Sequence, residues 1–374
     1  MSCYKKAQEF AQRVIQNRAA DIDQKAAFPE DIFNQIGNEG FLSLLIPKQH
    51  GGQGQQLTQH VEVCMALAES SATVALCYMM HNVALNCVSK HGSEKLKEKI
   101  FEDVVKNKKF LALAYSELGT GTHFYIPEIK AVYDEKGVSL TGIKSMVTSA
   151  KFASYYLVLS GAKQDGKLNN WAVPLNTKGV EFLTSNWNGL GMRANVSCPM
   201  KLENAHIDEL YRIGQDGDGQ EQVFTTVSSF FLSGLAAVYS GLSTNICNEA
   251  LKHATSRKYP SGPSLSQIET VQIHLSNIYT KTTASRTMAL NAASSYDNKE
   301  EDAEAKIITA RILASESVIE IATIAMRVGG GKTYNKQNSI ERLLRDAYAG
   351  QIMAPSVDVL KVWLGKALTG QQIP

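Results

Sequence analysis

The sequence predicts a mainly α fold with a central β domain. An N-terminal helical domain spans 1–111, a small β-barrel-like domain 112–215, and a C-terminal four-helix bundle 216–374. Three observations predict it. Up to about residue 110, and again from Gln220, apolar residues recur every three or four positions, the period of a helix with one buried stripe. Between these regions GVSLTGIKSMV, ASYYLVLSGA, NNWAVPLN and PMKLENAHI alternate or carry β-branched and aromatic residues, separated by Gly, Asn and Asp. The last third reads as long helices joined by short loops, which favours antiparallel packing.

In the first region, Pro29 suits the first turn of PEDIFNQIGNEG and Gly40 its C-terminus. Gly51-Gly52 marks a turn in FLSLLIPKQHGGQG. Two apolar helices follow over 57–70 and 72–90, where Met79, Met80 and His81 read as filler of a buried helix. Ser93 caps EKLKEKIFEDVVKNKK, a helix with a charged outer face. FLALAYSE opens the β region as a short buried strand. From Gln220, Val223, Val227, Phe230 or Phe231, Gly234, Val238, Leu242 and Ile246 mark a helix of roughly 35 residues, about 50 Å long. Leu265, Ile268, Val271, Leu275, Ile278 and Thr282 stripe the second helix, and a third runs over about 301–327. The fourth is SIERLLRDAYA, capped by Asn338 or Ser339 and ended by Pro355; a last helix carries Val359, Leu360 and Trp363.

Composition narrows the function. The 374 residues suffice for two or three domains with large cores. Hydrophobic residues make up 44% and charged residues 20%, as in ordinary globular chains, and the net charge of +2 gives no electrostatic support for nucleic acid as a partner. No apolar run in the sequence approaches the roughly 20 residues of a membrane span, so no membrane insertion is expected, and MSCYKKAQEFAQRV lacks the apolar core of a signal peptide. Six cysteines at 3, 64, 77, 87, 198 and 247 form no CxxC pair and no His/Cys ligand spacing. They read as reduced packing thiols of a cytoplasmic protein, with no metal site.

Three stretches carry residues suited to chemistry. Ser116-Glu117-Leu118-Gly119-Thr120-Gly121-Thr122-His123 follows a strand, and its backbone N–H groups can cradle a phosphate or a ring edge; otherwise it is a glycine turn. Arg257-Lys258-Tyr259-Pro260-Ser261-Gly262 offers a guanidinium for bidentate phosphate binding, or is simply a charged helix end. Gly329, Gly330 and Gly331 precede a helix N-terminus, a place that suits an anion.

Gly330-Gly331 followed by Glu341-Arg342 and Arg345-Asp346 resembles the GG…ER..RDA signature of the acyl-CoA dehydrogenase family, and the order helices, β domain, bundle resembles that family's fold over nearly the whole chain. The Gly51-Gly52 turn, Ser116–His123, Lys144–Ala150 (K.WiTNA in the family) and Leu190-Gly191-Met192-Arg193 add further likenesses. The resemblance implies FAD as cofactor. It places Ser116, Met146 and Thr148 against the flavin ring, with Met146 in place of a Trp that packs on it, and Gly121-Thr122 at the FAD pyrophosphate. It also brings Arg257, in competition with Lys258, and the Gly330-Gly331 turn to the FAD of a neighbouring subunit, with Arg327 in place of a Gln and Ser356 beyond the helix. A homo-oligomer follows, a tetramer favoured.

The same resemblance exposes a gap. The family places a catalytic Glu in an EGT triplet or early in the first bundle helix. Here Ala354-Pro355-Ser356 replaces the triplet, Leu232 or its neighbours occupy the helix position, and Gln222 to Asn248 contains no Asp or Glu. Glu117 matches a family Glu that is not the base. His123 is the one nearby side chain able to exchange a proton near neutral pH. Three readings follow: an FAD oxidoreductase acting on an acyl-CoA or related acyl thioester, served by an electron-transfer flavoprotein; a flavin-dependent monooxygenase fed by a flavin reductase, which the LGKALTG tail resembles; or a non-catalytic flavin- or acyl-binding member.

Overall fold

The computed structural model describes every residue except Met1, Thr122, Phe124, Ser261, Pro263, Gln372 and Pro374. Six helices come first: α1 (Cys3–Val14), α2 (Ala19–Lys25), α3 (Glu30–Asn38), α4 (Leu57–Ala68), α5 (Ala72–His91) and α6 (Glu94–Val105). Their ends follow local chemistry. Pro29 stands at the N-cap of α3, Gly40 takes φ +80 just beyond its end, and Ser93 Oγ accepts from Leu96 N at 3.3 Å to start α6. α5 is apolar nearly all round and buried from Ala72 to Val88, as a helix at the centre of a large core must be.

Met79, Met80 and His81 are indeed core residues. His81 Nδ1 accepts from Leu111 N at 3.1 Å and Nε2 donates to Leu42 O at 2.7 Å, so its neutral ring links three segments. Burial lowers its pKa to about 4, and that of His60 to about 3.

The β region holds β1 (Leu111–Leu113), β2 (Lys130–Tyr133), β3 (Gly137–Val147), β4 (Tyr155–Gly161), β5 (Leu168–Pro174), β6 (Val180–Phe182), β7 (Cys198–Asp208) and β8 (Arg212–Ile213). They form two four-stranded sheets, ordered β1-β4-β5-β8 and β2-β3-β7-β6. All pairings are antiparallel except the parallel β1–β4 edge. β4 and β5 are buried on both faces; the run YYLVL of β4 reads as continuously apolar for that reason, while β5 buries Asn169 and Asn170 beside its Trp-Ala-Val. The short strands β2, β6 and β8 gave no pattern long enough to read.

The bundle begins with α7 (Gly219–Gln222), a π turn (Val223–Val227) and α8 (Ser228–Ser256), continuous over 38 residues. It continues with α9 (Glu269–Asp297), α10 (Ala303–Gly329), α11 (Ser339–Ile352) and α12 (Val357–Leu368). Asn338, not Ser339, caps α11: its Oδ1 accepts from Ile340 N at 2.9 Å. Among the described residues, Gly219–Ser256 alone has the length and apolarity of a membrane span; its length agrees with the roughly 35-residue helix expected from Gln220, while scattered Ser and Thr interrupt any continuous apolar run. Its apolar window is 78% buried inside the molecule, as befits a core helix. Glycines make this closeness possible: a Cβ on Gly234 would collide with Met79 of α5 and crowd His60 of α4.

The buried histidines set an acid limit on stability. In the folded chain they resist protonation down to about pH 4 and 3, whereas in the unfolded chain they charge near 6.5. Stability is therefore complete above pH 6.5 and declines as pH falls, His81 alone contributing on the order of 3 kcal/mol. Buried Asp346, raised to about 6, acts oppositely between pH 6 and 4, one group against two. The urea midpoint is expected to fall from pH 7 to pH 4, and His81→Gln to flatten that slope. A midpoint that stays level or rises on acidification would contradict the assignment.

Candidate active site

The β-domain part of the site grows from the end of β1. Glu117, 5% exposed, pairs with Lys144 of β3, which is fully buried. Glu117 Oε2 also accepts from Glu128 N at 2.7 Å, and Lys144 Nζ donates to Leu159 O at 2.9 Å. Burial pushes the Lys144 ammonium pKa down while the Glu117 carboxylate opposes that shift. Glu117 thus ties the loop after β1 to β3 and, through Lys144, to β4. Sequence reading missed the pair because its members are 27 residues apart and each looks like a surface charge.

This clamp positions the expected flavin contacts. Ser145 N donates to Ser116 O at 2.7 Å, so the loop runs beside the end of β3. There the register breaks between Lys144 and Val147, and Met146 takes φ +48. The break turns Met146 outward, 65% exposed; Leu118 on the loop after β1 is 82% exposed. Two residues beyond Met146, Thr148 is buried, its Oγ1 2.9 Å from Ser197 Oγ. An exposed thioether two residues from a buried hydroxyl suits contact with a flat heteroaromatic ring. Gly121 is open at φ +52. Thr122 lies outside the described residues. His123 is exposed, with Nδ1 3.0 Å from Tyr125 OH, and Tyr125 leans on Phe224 of the π turn at 5.2 Å between ring centroids.

A second cluster sits where α8 and α10 end. Gly330 adopts φ +58, ψ −149, a region essentially reserved for glycine. A Cβ on Gly329 would strike Thr333, whose Oγ1 closes the turn onto Met326 O at 3.0 Å and Gly330 O at 2.8 Å. Gly331 faces open space. Arg327 is exposed in the last turn of α10. Arg257 is the C-cap of α8, half-buried, its guanidinium 5.4 Å from the Tyr259 ring. Burial lowers the His253 pKa, and the Arg257 and Lys332 charges add to that, so both cations lie at this end of the bundle. Lys332 escaped the sequence reading. Exposed glycine backbone beside fixed cations suits a pyrophosphate. Among the described residues no hydrogen bond or ion pair joins this cluster to the one around Thr148.

The two positions expected to hold a carboxylate lie elsewhere. Leu232 is buried on α8, and Tyr239, seven residues on and so on the same face, places its hydroxyl 3.8 Å from Met353 Sδ, next to Ala354. Arg311 of α10 is fully buried and donates to Gly350 O at 3.1 Å and Met353 O at 3.2 Å, holding the end of α11. Ser356 caps α12, its Oγ accepting from Val359 N at 3.5 Å. A methyl group at 354 and an isobutyl group at 232 can shape a pocket but take no proton. The Glu341…Arg345-Asp346 signature turns out to be architectural. Arg345 ties Asp23, Glu341 and Leu190 O together, and Asp346 Oδ1 accepts from Met192 N at 2.5 Å.

Comparison with known proteins agrees with this frame. The N-terminal, middle and C-terminal domain models of acyl-CoA dehydrogenase match residues 2–108, 112–205 and 233–368. The 3-(aryl)acrylate reductase of Clostridium sporogenes is 28% identical over 350 residues, covering 91% of each chain. The caffeyl-CoA reductase-Etf complex subunit CarC of Acetobacterium woodii is 27% identical over 348 residues, covering 91% of this chain and 90% of its own. The structure of butyryl-CoA dehydrogenase from Megasphaera elsdenii superposes with a TM-score of 0.92 at 19% identity, covering 98% of this chain and 97% of that one, a likeness of fold. The chain belongs to the acyl-CoA dehydrogenase family, whose dehydrogenases and reductases are flavin-dependent oxidoreductases.

Proposed function

We propose that this chain is an FAD-dependent oxidoreductase acting on an acyl-CoA or a related acyl thioester, with the family's usual catalytic base absent. Ser116, Met146 and Thr148 hold the flavin ring, and Gly121 and Thr122 contact the FAD pyrophosphate. Arg257, Arg327, Gly330 and Gly331 serve the pyrophosphate of a neighbouring subunit, and Ser356 adds a contact beside it. Bound FAD supplies hydride transfer; the chain's own part is to seat the thioester beside Ala354, exclude water and provide or withhold a proton path. The observation that carries the reading is Ala354 and buried Leu232 at the two carboxylate positions of an otherwise intact frame. The names of two relatives, reductases of acrylates and of caffeyl-CoA, favour an unsaturated thioester as substrate, and the Etf complex favours an electron-transfer flavoprotein as partner. A cytoplasmic homotetramer completes the proposal. Exposed Ile273, Tyr279, Ile352 and Val362 on the bundle helices supply apolar surface for subunit contact.

Two experiments test it. In anaerobic titrations, saturated straight-chain acyl-CoAs are expected to bleach the flavin slowly, since a positioned base contributes on the order of 10²–10⁴-fold. Fast bleaching, unchanged in His123→Ala, would reveal a base outside the positions named here. In the second, the FAD-loaded protein is expected to scatter light as a tetramer, and Gly331→Val to weaken FAD binding by at least about tenfold without lowering thermal stability. A Cβ there meets nothing within 4 Å in the single chain, so the loss would report on ligand and neighbour rather than folding. An FAD-bound monomer, or full affinity in Gly331→Val, would displace the loop from the cofactor site.

A further inference from the structure

A cavity lined by none of the residues assigned to flavin or thioester opens where the start of α4, the end of α5, the start of α8 and the connection from α9 to α10 meet. Its volume is about 580 Å³, within the range of small-molecule sites. One wall is aromatic. The Phe230 ring is backed by His60 at 5.6 Å and meets Tyr296 edge-on at 6.2 Å, both between ring centroids. Lys90 Nζ lies 5.7 Å from the centre of each of the Phe230 and Tyr296 rings and donates to the Tyr296 hydroxyl at 3.4 Å. One turn earlier on α5, Asn86 lines the cavity at 7% exposure, and its Nδ2 has no hydrogen-bond partner.

The charges around this cavity divide into spent and free. Asp297 is spent on the N-terminus of α4, where it accepts from Leu57 N at 3.1 Å and Thr58 N at 2.8 Å. Glu300 is spent on Lys306 at 2.6 Å. Among the described residues, Lys90 pairs with no carboxylate, and Glu301 and Glu304 make no hydrogen bond or ion pair. Lys299, exposed on the same connection as these acids, offsets part of their charge. What is left is an ammonium and an unpaired amide on α5, and carboxylates around the start of α10. A half-turn about its terminal torsion exchanges the two ends of the Asn86 amide at little cost, so its donor can face the cavity. A buried amide end without a partner is uncommon unless something completes it.

We propose that this cavity binds a free α-amino acid with a bulky apolar side chain. Its carboxylate accepts hydrogen bonds from Lys90 and Asn86, its ammonium faces Glu301 and Glu304, and its side chain lies on Phe230. A simple anion would leave the two acids unmatched, and a simple cation would meet Lys90; a small zwitterion satisfies both signs. The site stands apart from the proposed function, since neither the flavin nor the thioester is needed to form it.

The test is calorimetry on the FAD-loaded full chain with three probes: L-phenylalanine, N-acetyl-L-phenylalanine, which lacks the ammonium, and L-phenylalaninamide, which lacks the carboxylate. L-phenylalanine is expected to bind at least about tenfold more tightly than either derivative. Lys90→Met, which keeps an apolar stem, should weaken L-phenylalanine at least about tenfold and leave L-phenylalaninamide unchanged. Glu301→Gln combined with Glu304→Gln should weaken L-phenylalanine likewise and leave N-acetyl-L-phenylalanine unchanged. FAD content and thermal midpoint should match wild type in both variants, because the three substituted side chains are exposed. No binding of L-phenylalanine, equal binding of the two derivatives, or an affinity that survives both sets of substitutions overturns the inference.

Discussion

The structure depends most on the attachment of α11. Arg345 reaches Asp23 of α2 with two hydrogen bonds, at 3.0 and 2.6 Å, and Leu190 O of the β domain at 3.0 Å, while its neighbour Asp346 accepts from Met192 N. One turn of one helix thereby fixes the N-terminal helices, the β domain and the bundle relative to each other. Gly191 is part of the same joint, since a Cβ there would collide with the Arg345 carbonyl. The charge-assisted bonds are partly buried, where geometry of this quality counts for more than in exposed pairs. Everything beyond α11, including Met353, Ala354 and the cap at Ser356, inherits its position from this joint and from Arg311 below it.

With the frame held in this way, the chemistry can vary at little structural expense. Ala354 contributes neither charge nor hydrogen bond through its side chain, so its identity is free of the constraints that hold Arg345 or Glu117. In the proposed function, Met146, Thr148 and the glycine turn at 329–331 serve the flavin, whereas Ala354 and Leu232 stand at the proton-handling positions. A frame that orients a thioester beside a flavin without a carboxylate favours reactions in which the proton is supplied rather than taken.

The architecture was legible in the sequence because its periods are long and regular. The strands at 137–147 and 155–161 and the bundle helices stand where alternation and helical spacing put them. The π turn over Val223–Val227 left no trace, since shifting one helical turn from α to π hydrogen bonding alters no composition. Resemblance supplied the site residues, but the ties that support them were hidden. Glu117–Lys144, Arg345–Asp23 and Asp346–Met192 join residues far apart in the chain, and one sequence does not show which charges meet. Arg311 was the hardest to foresee: an arginine on a helix reads as surface, and only packing shows it fully buried.

The central claim is that the flavin frame is intact while the α-proton acceptor is missing. Exchange of the α-hydrogens of a saturated acyl-CoA in D₂O, followed by mass spectrometry with FAD-loaded protein, tests it most directly, because exchange reports proton removal without requiring hydride transfer. The account predicts exchange on the order of 10²–10⁴-fold slower in wild type than in Ala354→Glu, which restores a carboxylate at the vacant position. Rapid exchange by wild type, matched or exceeded by no variant, would contradict it.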